Sequence, residues 1–173
     1  EYILMIFVTV GTHEQPFNRL IQEVDHLVET GVIKEEVFIQ TGYSTYEPKF
    51  CQWSRLISFD QMSEFIQKAD IIITHGGPAT FMSAIANGKK PIVVPRQEKF
   101  GEHVNDHQID FARNVARRMG TIILVEDVDK LGETIENYNS IVAELEYDMG
   151  NNNKKFNKDL EDIVVKLLDN VKE

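Results

Sequence analysis

Short apolar runs rich in β-branched residues alternate along the chain with segments whose apolar residues recur every three or four positions. The runs Ile3–Val10, Val37–Thr41, Arg55–Phe59, Ile71–Thr74, Pro91–Val94 and Thr121–Val125 read as strands. Several are apolar throughout, the pattern of strands covered on both faces. Between them, Phe17–Glu29, Gln61–Lys68, Ala79–Asn87 and His103–Arg118 have helical spacing. In the first, Phe17, Leu20, Ile21, Val24, Leu27 and Val28 share one face, and Pro16 suits the opening turn. Asp127–Tyr138 adds a short helix. The alternation predicts an α/β fold with a doubly wound, mainly parallel sheet. Residues 1–173 are expected to form one domain, with its core at about 3–140. A polar loop at about 148–155 then leads into a C-terminal helix at about 156–172. Its apolar stripe (Phe156, Leu160, Ile163, Val164, Leu167, Leu168) either packs back on the domain or docks on a partner chain.

Length fits this picture, since 173 residues allow one real core but not two large ones. An apolar fraction of 42% and a charged fraction of 27% describe an ordinary soluble protein. A net charge of −10 argues against nucleic acid as a partner held by a basic surface. The single cysteine, Cys51, excludes an intramolecular disulfide and suits a reducing cytoplasm. No apolar window is long enough to span a membrane. The opening "ILMIFVTV" lacks a basic leader and a cleavage site, so it reads as a strand and not a signal peptide. A native start at Met5 is one reading, with residues 1–4 then foreign to the protein; the sequence leaves the alternative open.

Two strand-to-helix loops have the composition of ligand loops. "VTVGTHEQPF" carries Gly11, Thr12 and His13, and "IIITHGGPATF" carries His75, Gly76 and Gly77. Ligands of doubly wound sheets bind outside the carboxyl ends of the strands. Glycines allow close backbone approach there, and a helix start offers unpaired N–H groups to an anion. A Gly-Gly turn can equally be plain geometry. Neither loop is GxGxxG or Walker A, so dinucleotide oxidoreductases and NTPases lose their usual fingerprint. The five histidines show no zinc spacing, and no DxD-type acidic pair lies in a fitting loop.

Taken together, "FVTVGTHEQPFNRLI", "FIQTG", "ADIIITHGGPATFMSAIANGKKPIVVPR" and "EHVNDHQIDFA" resemble the C-terminal, donor-binding half of GT-B glycosyltransferases, the family 28 C-terminal domain. The resemblance covers roughly Phe7 to Val125. It is nearest to stand-alone versions, such as the catalytic subunit of the two-part dolichol-linked N-acetylglucosaminyltransferase and bacterial exopolysaccharide and capsule counterparts. It implies a Rossmann-like domain, half of a GT-B fold, that binds a nucleotide-sugar donor, most readily a UDP-sugar. It also implies a membrane-associated acceptor-binding partner subunit, a lipid-linked saccharide acceptor and a cytoplasmic site at the inner membrane face. By the same resemblance the nucleotide-sugar is expected as a substrate, with no cofactor and no metal required and with an inverting reaction.

The resemblance also implies roles for single residues. Gly76, Gly77 and the N–H groups of Ala79 and Thr80 face the diphosphate, with Gly11 and Thr12 on the neighbouring loop. An Asp-Gln or Arg-Gln pair that touches sugar hydroxyls in relatives is here His107-Gln108, preceded by Asn105 and Asp106. Many relatives hold the ribose with a glutamate whose place is taken by Ser83, and Glu98 is a candidate substitute. His13 could act as base on the acceptor hydroxyl, a task suited to imidazole, or the base could come from the partner. His75 touches phosphate or is held locally. Arg96 is either a positive charge near the diphosphate or an ion-pair partner of Glu98 or Glu102. His103 and Glu102 divide evenly between donor contact and structure. The rival readings are a non-catalytic nucleotide-sugar-binding or enhancer subunit, and a nucleotide-sugar epimerase, which needs both halves in one chain.

Overall fold

A computed structural model of the chain describes residues 5–150 and residue 162. Six strands, β1 (Met5–Thr9), β2 (Glu36–Gln40), β3 (Gln52–Ser54), β4 (Ile71–Thr74), β5 (Ile92–Val93) and β6 (Ile123–Leu124), form one sheet in the order β3-β2-β1-β4-β5-β6. Every pairing is parallel. Around it lie α1 (Asn18–Glu29), α2 (Phe59–Lys68), α3 (Pro78–Ala86), α4 (His107–Met119), α5 (Leu131–Glu136) and α6 (Tyr138–Gly150).

The apolar runs are explained by three apolar clusters on the two faces of the sheet. Ile6 and Val8 of β1, and Val10 just after it, point with Ile71, Ile73, Ile92 and Ile123 toward Leu20, Ile21 and Val24 of α1 and toward Leu131 and Ile135 of α5. Phe7 and Ile72 point the other way, to Ile66 of α2 and Ala84 of α3. Val93 joins Phe81, Ala112 and Val115 under α3 and α4. Successive side chains alternate faces along a strand, so a run buried on both sides must be apolar at every position.

The strand expected at Arg55–Phe59 is not there. β3 lies earlier, at Gln52–Ser54, and Phe59 opens α2. The reason is a capping box: Ser58 Oγ accepts from Gln61 N–H at 3.1 Å, and Gln61 Oε1 accepts from Ser58 N–H at 2.9 Å. Leu56 and Phe59 are left exposed, at 53% and 86%. The helix expected from His103 starts at His107, because Asn105 Oδ1 accepts the His107 N–H in a local turn. The segment expected as one helix, Asp127–Tyr138, divides into a 3-10 turn (Val128–Lys130) capped by Asp127, then α5, then α6. In α6, Ile141, Val142 and Leu145 pack on the larger core, and the helix continues through 148–150, where a loop was expected. The C-terminal helix at about 156–172 lies outside the described residues.

Candidate functional site

Strand order reverses between β1 and β4, which makes their carboxyl ends the switch point of the sheet. Both glycine-containing loops emerge there, side by side. The His75 N–H donates to Thr9 O at 3.2 Å, which fixes the second loop to the end of β1.

His75 organises this edge. It is buried, and its Nδ1 accepts the Gly77 N–H at 3.0 Å, so the ring proton is on Nε2. Burial, reinforced by the nearby Arg96 charge, lowers its pKa to about 3, so the ring is neutral at physiological pH. The ring explains two of the glycines. A Cβ on Gly77 would lie 2.0 Å from His75 Cε1, and one on Gly11 would lie 2.5 Å from His75 Nε2. Gly11 also has φ +74°, a conformation that favours glycine. Gly76 is set by α4 instead, where a Cβ would meet Gln108 Cβ at 2.9 Å and Pro95 Cβ at 3.1 Å.

Arg96 is the second organiser. It is 1% exposed, and its Nη atoms donate to the carbonyls of Gln15 (2.6 Å), Glu102 (3.0 Å) and Val10 (2.8 Å). Its guanidinium lies over the Phe17 ring at 5.0 Å, and its Nε has no partner among the described residues. Burial lowers its pKa to about 10, against the opposing pull of Glu102, and it stays charged. One cation thus ties the loop after β1 to the loop after β5. The Glu102 carboxylate itself pairs with Arg19, at 2.8 and 3.1 Å, and accepts the Gln97 N–H. Sequence reasoning missed Arg19; only the fold brings it across from α1, with nothing in the local pattern to mark it.

The remaining candidates ring the same edge. His13 and His103 stack with centroids 4.6 Å apart and planes 17° apart. His13 Nε2 hydrogen-bonds Gln15 Oε1 at 2.9 Å, and His103 Nδ1 accepts the Asn105 N–H. Burial, then the neighbouring His13 and Arg96, lowers the His103 pKa. Gln108 Oε1 accepts the Arg96 N–H at 3.2 Å, and its side chain also hydrogen-bonds the His75 ring. Asp106 accepts the Glu98 N–H, which folds the 3-10 turn Glu98–Phe100 against the start of α4. Thr12, Glu98 and His107 are exposed. At the start of α3, Gly77 is the N-cap, Pro78 follows, and no side chain caps the helix. The first-turn N–H groups of Ala79 and Thr80 therefore lack intrahelical partners, with Ala79 exposed and Thr80 half-buried. Ser83 is exposed one turn further on.

Cys51 lies elsewhere, half-buried, and burial with the adjacent Asp25 raises its thiol to about 12, which leaves it unreactive. A groove of about 620 Å³ runs beside α1 under Phe100, outside the switch point, and the Arg19 guanidinium on its wall is already bonded to protein acceptors. Among the described residues no group of three or more His, Cys, Asp or Glu is placed to hold a metal ion. No described helix is long and apolar enough to cross a membrane.

An all-parallel six-stranded sheet with both glycine loops at its switch point is the architecture of one half of a GT-B glycosyltransferase. Solved structures agree. The kitacinnamycin glycosyltransferase superposes with a TM-score of 0.64 at 15% identity, over 90% of this chain and 40% of that one. The spinosyn forosaminyltransferase SpnP gives 0.58 at 17% identity, over 99% of this chain and 44% of that one. The chain belongs to the glycosyltransferase family 28 C-terminal domain family, whose model matches residues 5–164. It is also 32% identical over 119 residues to the human UDP-N-acetylglucosamine transferase subunit ALG13, spanning 64% of this chain and 10% of that relative.

Proposed function

We propose that the chain is the donor-binding subunit of a glycosyltransferase. It binds a UDP-sugar and, with a membrane-associated partner, transfers the hexose with inversion to a lipid-linked acceptor in exopolysaccharide or capsule synthesis. The observation that carries this reading is the uncapped start of α3 at the switch point of a family 28 domain. Unpaired N–H groups at a helix start suit a diphosphate, and they suit it better as the sugar–phosphate bond breaks and charge gathers on the leaving group. By analogy with oxyanion-hole donors, each such N–H contributes about 2.7–4 kcal/mol to the transition state. No metal enters this scheme. In this reading His13, on the facing loop, takes the proton of the acceptor hydroxyl, and Gln108 meets sugar hydroxyls.

A second reading, a non-catalytic nucleotide-sugar-binding or enhancer subunit, is favoured by Ser83, which cannot clasp a ribose as a glutamate can.

Ala79→Glu separates site from scaffold. A first-turn glutamate suits the helix dipole, so stability should hold, but its charge repels a diphosphate. UDP titrated calorimetrically should bind the wild type and bind the variant about ten-fold or more weakly, roughly 1.4 kcal/mol. Equal affinity would refute the assignment. For the whole reaction, the chain is co-expressed with the product of the adjoining gene and given labelled UDP-N-acetylglucosamine and membranes. Binding without any transfer from a panel of UDP-sugars would favour the second reading.

A further inference from the structure

The imidazole of His13 is gripped more firmly than a half-buried loop residue requires. Its Nε2 meets Gln15 Oε1 at 2.9 Å, and its face stacks on His103 at 4.6 Å. The main chain of Gln15 is itself anchored, its carbonyl accepting from Arg96 Nη1 at 2.6 Å. The same guanidinium holds Val10 O, at the start of the His13 loop, and Glu102 O, beside His103. One buried cation thus fixes the loop that bears the imidazole, the residue that bonds it and the loop that stacks on it. An amide oxygen only accepts, so the His13 proton must sit on Nε2. Nδ1 then keeps its lone pair, and it takes no hydrogen bond among the described residues.

We propose that Gln15 is a positioning residue that fixes the ring plane and the tautomer of His13, leaving Nδ1 as the atom that receives the acceptor's proton. This rests on the glycosyltransferase reading above. The hydroxyl oxygen bonds to the anomeric carbon while the carbon–oxygen bond to the diphosphate breaks and its electron pair leaves with the phosphate. The hydroxyl proton passes to His13 Nδ1, and the Nε2–H bond to Gln15 supports the cation that results. The other titratable groups near the ring are His103 from the loop after β5, which stacks on it, and His75 from the loop after β4. The acceptor nitrogens of His75 and His103 already take the Gly77 and Asn105 N–H groups, so Gln15 supplies the acceptor for His13.

The test uses Gln15→Leu, which has no acceptor, and Gln15→Glu, which keeps one. Long-range ¹⁵N–¹H NMR on the labelled chain reads the tautomer without any turnover. The expected result is a proton on His13 Nε2 in the wild type and in Gln15→Glu, and a tautomer mixture in Gln15→Leu. In the co-expressed complex, with UDP-N-acetylglucosamine as donor, Gln15→Leu should lower kcat about ten-fold or more, part of the 10²–10⁴ that a general base provides. UDP affinity should stay within about two-fold, because the ring holds a proton path and not the diphosphate. Gln15→Glu should restore most of kcat and move the acid limb of its pH profile upward, since a carboxylate favours the imidazolium. A wild-type proton on Nδ1, an unchanged kcat in Gln15→Leu, or a Glu variant as slow as the Leu variant would overturn the proposal. Transfer that survives His13→Gln would remove the base reading and this role with it, and the NMR result would show separately whether the tautomer was set as described.

Discussion

The His75 ring lies between two glycines, and a methyl group added to one of them tests whether space or backbone freedom keeps them there. Gly77 is the cleaner site, since φ −70° and ψ 119° are open to any residue. A Cβ there would sit 2.0 Å from His75 Cε1 and 2.8 Å from Nδ1. The ring cannot simply retreat, because Gly11 backs its Nε2 edge, and the Gly77 N–H bond to Nδ1 would break as it moved. Overpacking costs about 1–3 kcal/mol and the lost buried hydrogen bond about 1 more, so Gly77→Ala should destabilise by about 2–4 kcal/mol. For a chain of this size that lowers the melting temperature by roughly 4–16 °C. The assay is urea unfolding at pH 7 on a cycle with His75→Ala. Deleting the ring clears the space, so in that background Gly77→Ala should cost less than about 0.5 kcal/mol, an interaction energy of about 1.5 kcal/mol or more. Additive costs would refute the reasoning and return the glycine to backbone or ligand demands.

Three further outcomes follow from the same edge. Arg96→Met strands the carbonyls of Gln15, Glu102 and Val10, and should cost about 3–5 kcal/mol in urea unfolding; Arg96→Lys should recover little, because one ammonium cannot match the planar fork. His75 has a folded pKa of about 3 against 6.5 unfolded, so the unfolded state binds the proton first: its contribution is intact above pH 6.5 and is lost as pH falls toward 3. Stability measured between pH 6 and 4 should therefore drop less steeply in His75→Ala than in the wild type, by about 1.4 kcal/mol per pH unit. Because main-chain amides are the proposed diphosphate ligands, transfer by the co-expressed complex should survive EDTA, and activity lost to EDTA and restored by Mg²⁺ would contradict them.

The linear sequence by itself determined the class of fold. Runs such as Ile71–Thr74 are apolar at every position because both faces are covered, and that condition is readable without coordinates. Loop chemistry was legible for the same local reason: glycine, histidine and a helix start follow β1 and β4 in consecutive positions, and the family resemblance rests on those stretches. Boundaries failed where one short-range signal overrode another. The Ser58–Gln61 capping box ended the apolar run at Arg55–Phe59 that had looked like a strand, and it was available to be read. Some partners are local, as His13 with Gln15 and His75 with Gly77, but those that join one loop to another belonged to the tertiary structure alone. Arg96 meets Val10 across 86 residues, Arg19 meets Glu102 across 83, and His13 stacks on His103 only because parallel crossovers bring the carboxyl ends of β1, β4 and β5 together. Hydrophobic periodicity is a one-dimensional signal that survives in sequence, whereas a hydrogen bond between distant loops is set by the packing of the whole sheet and leaves no trace in either loop.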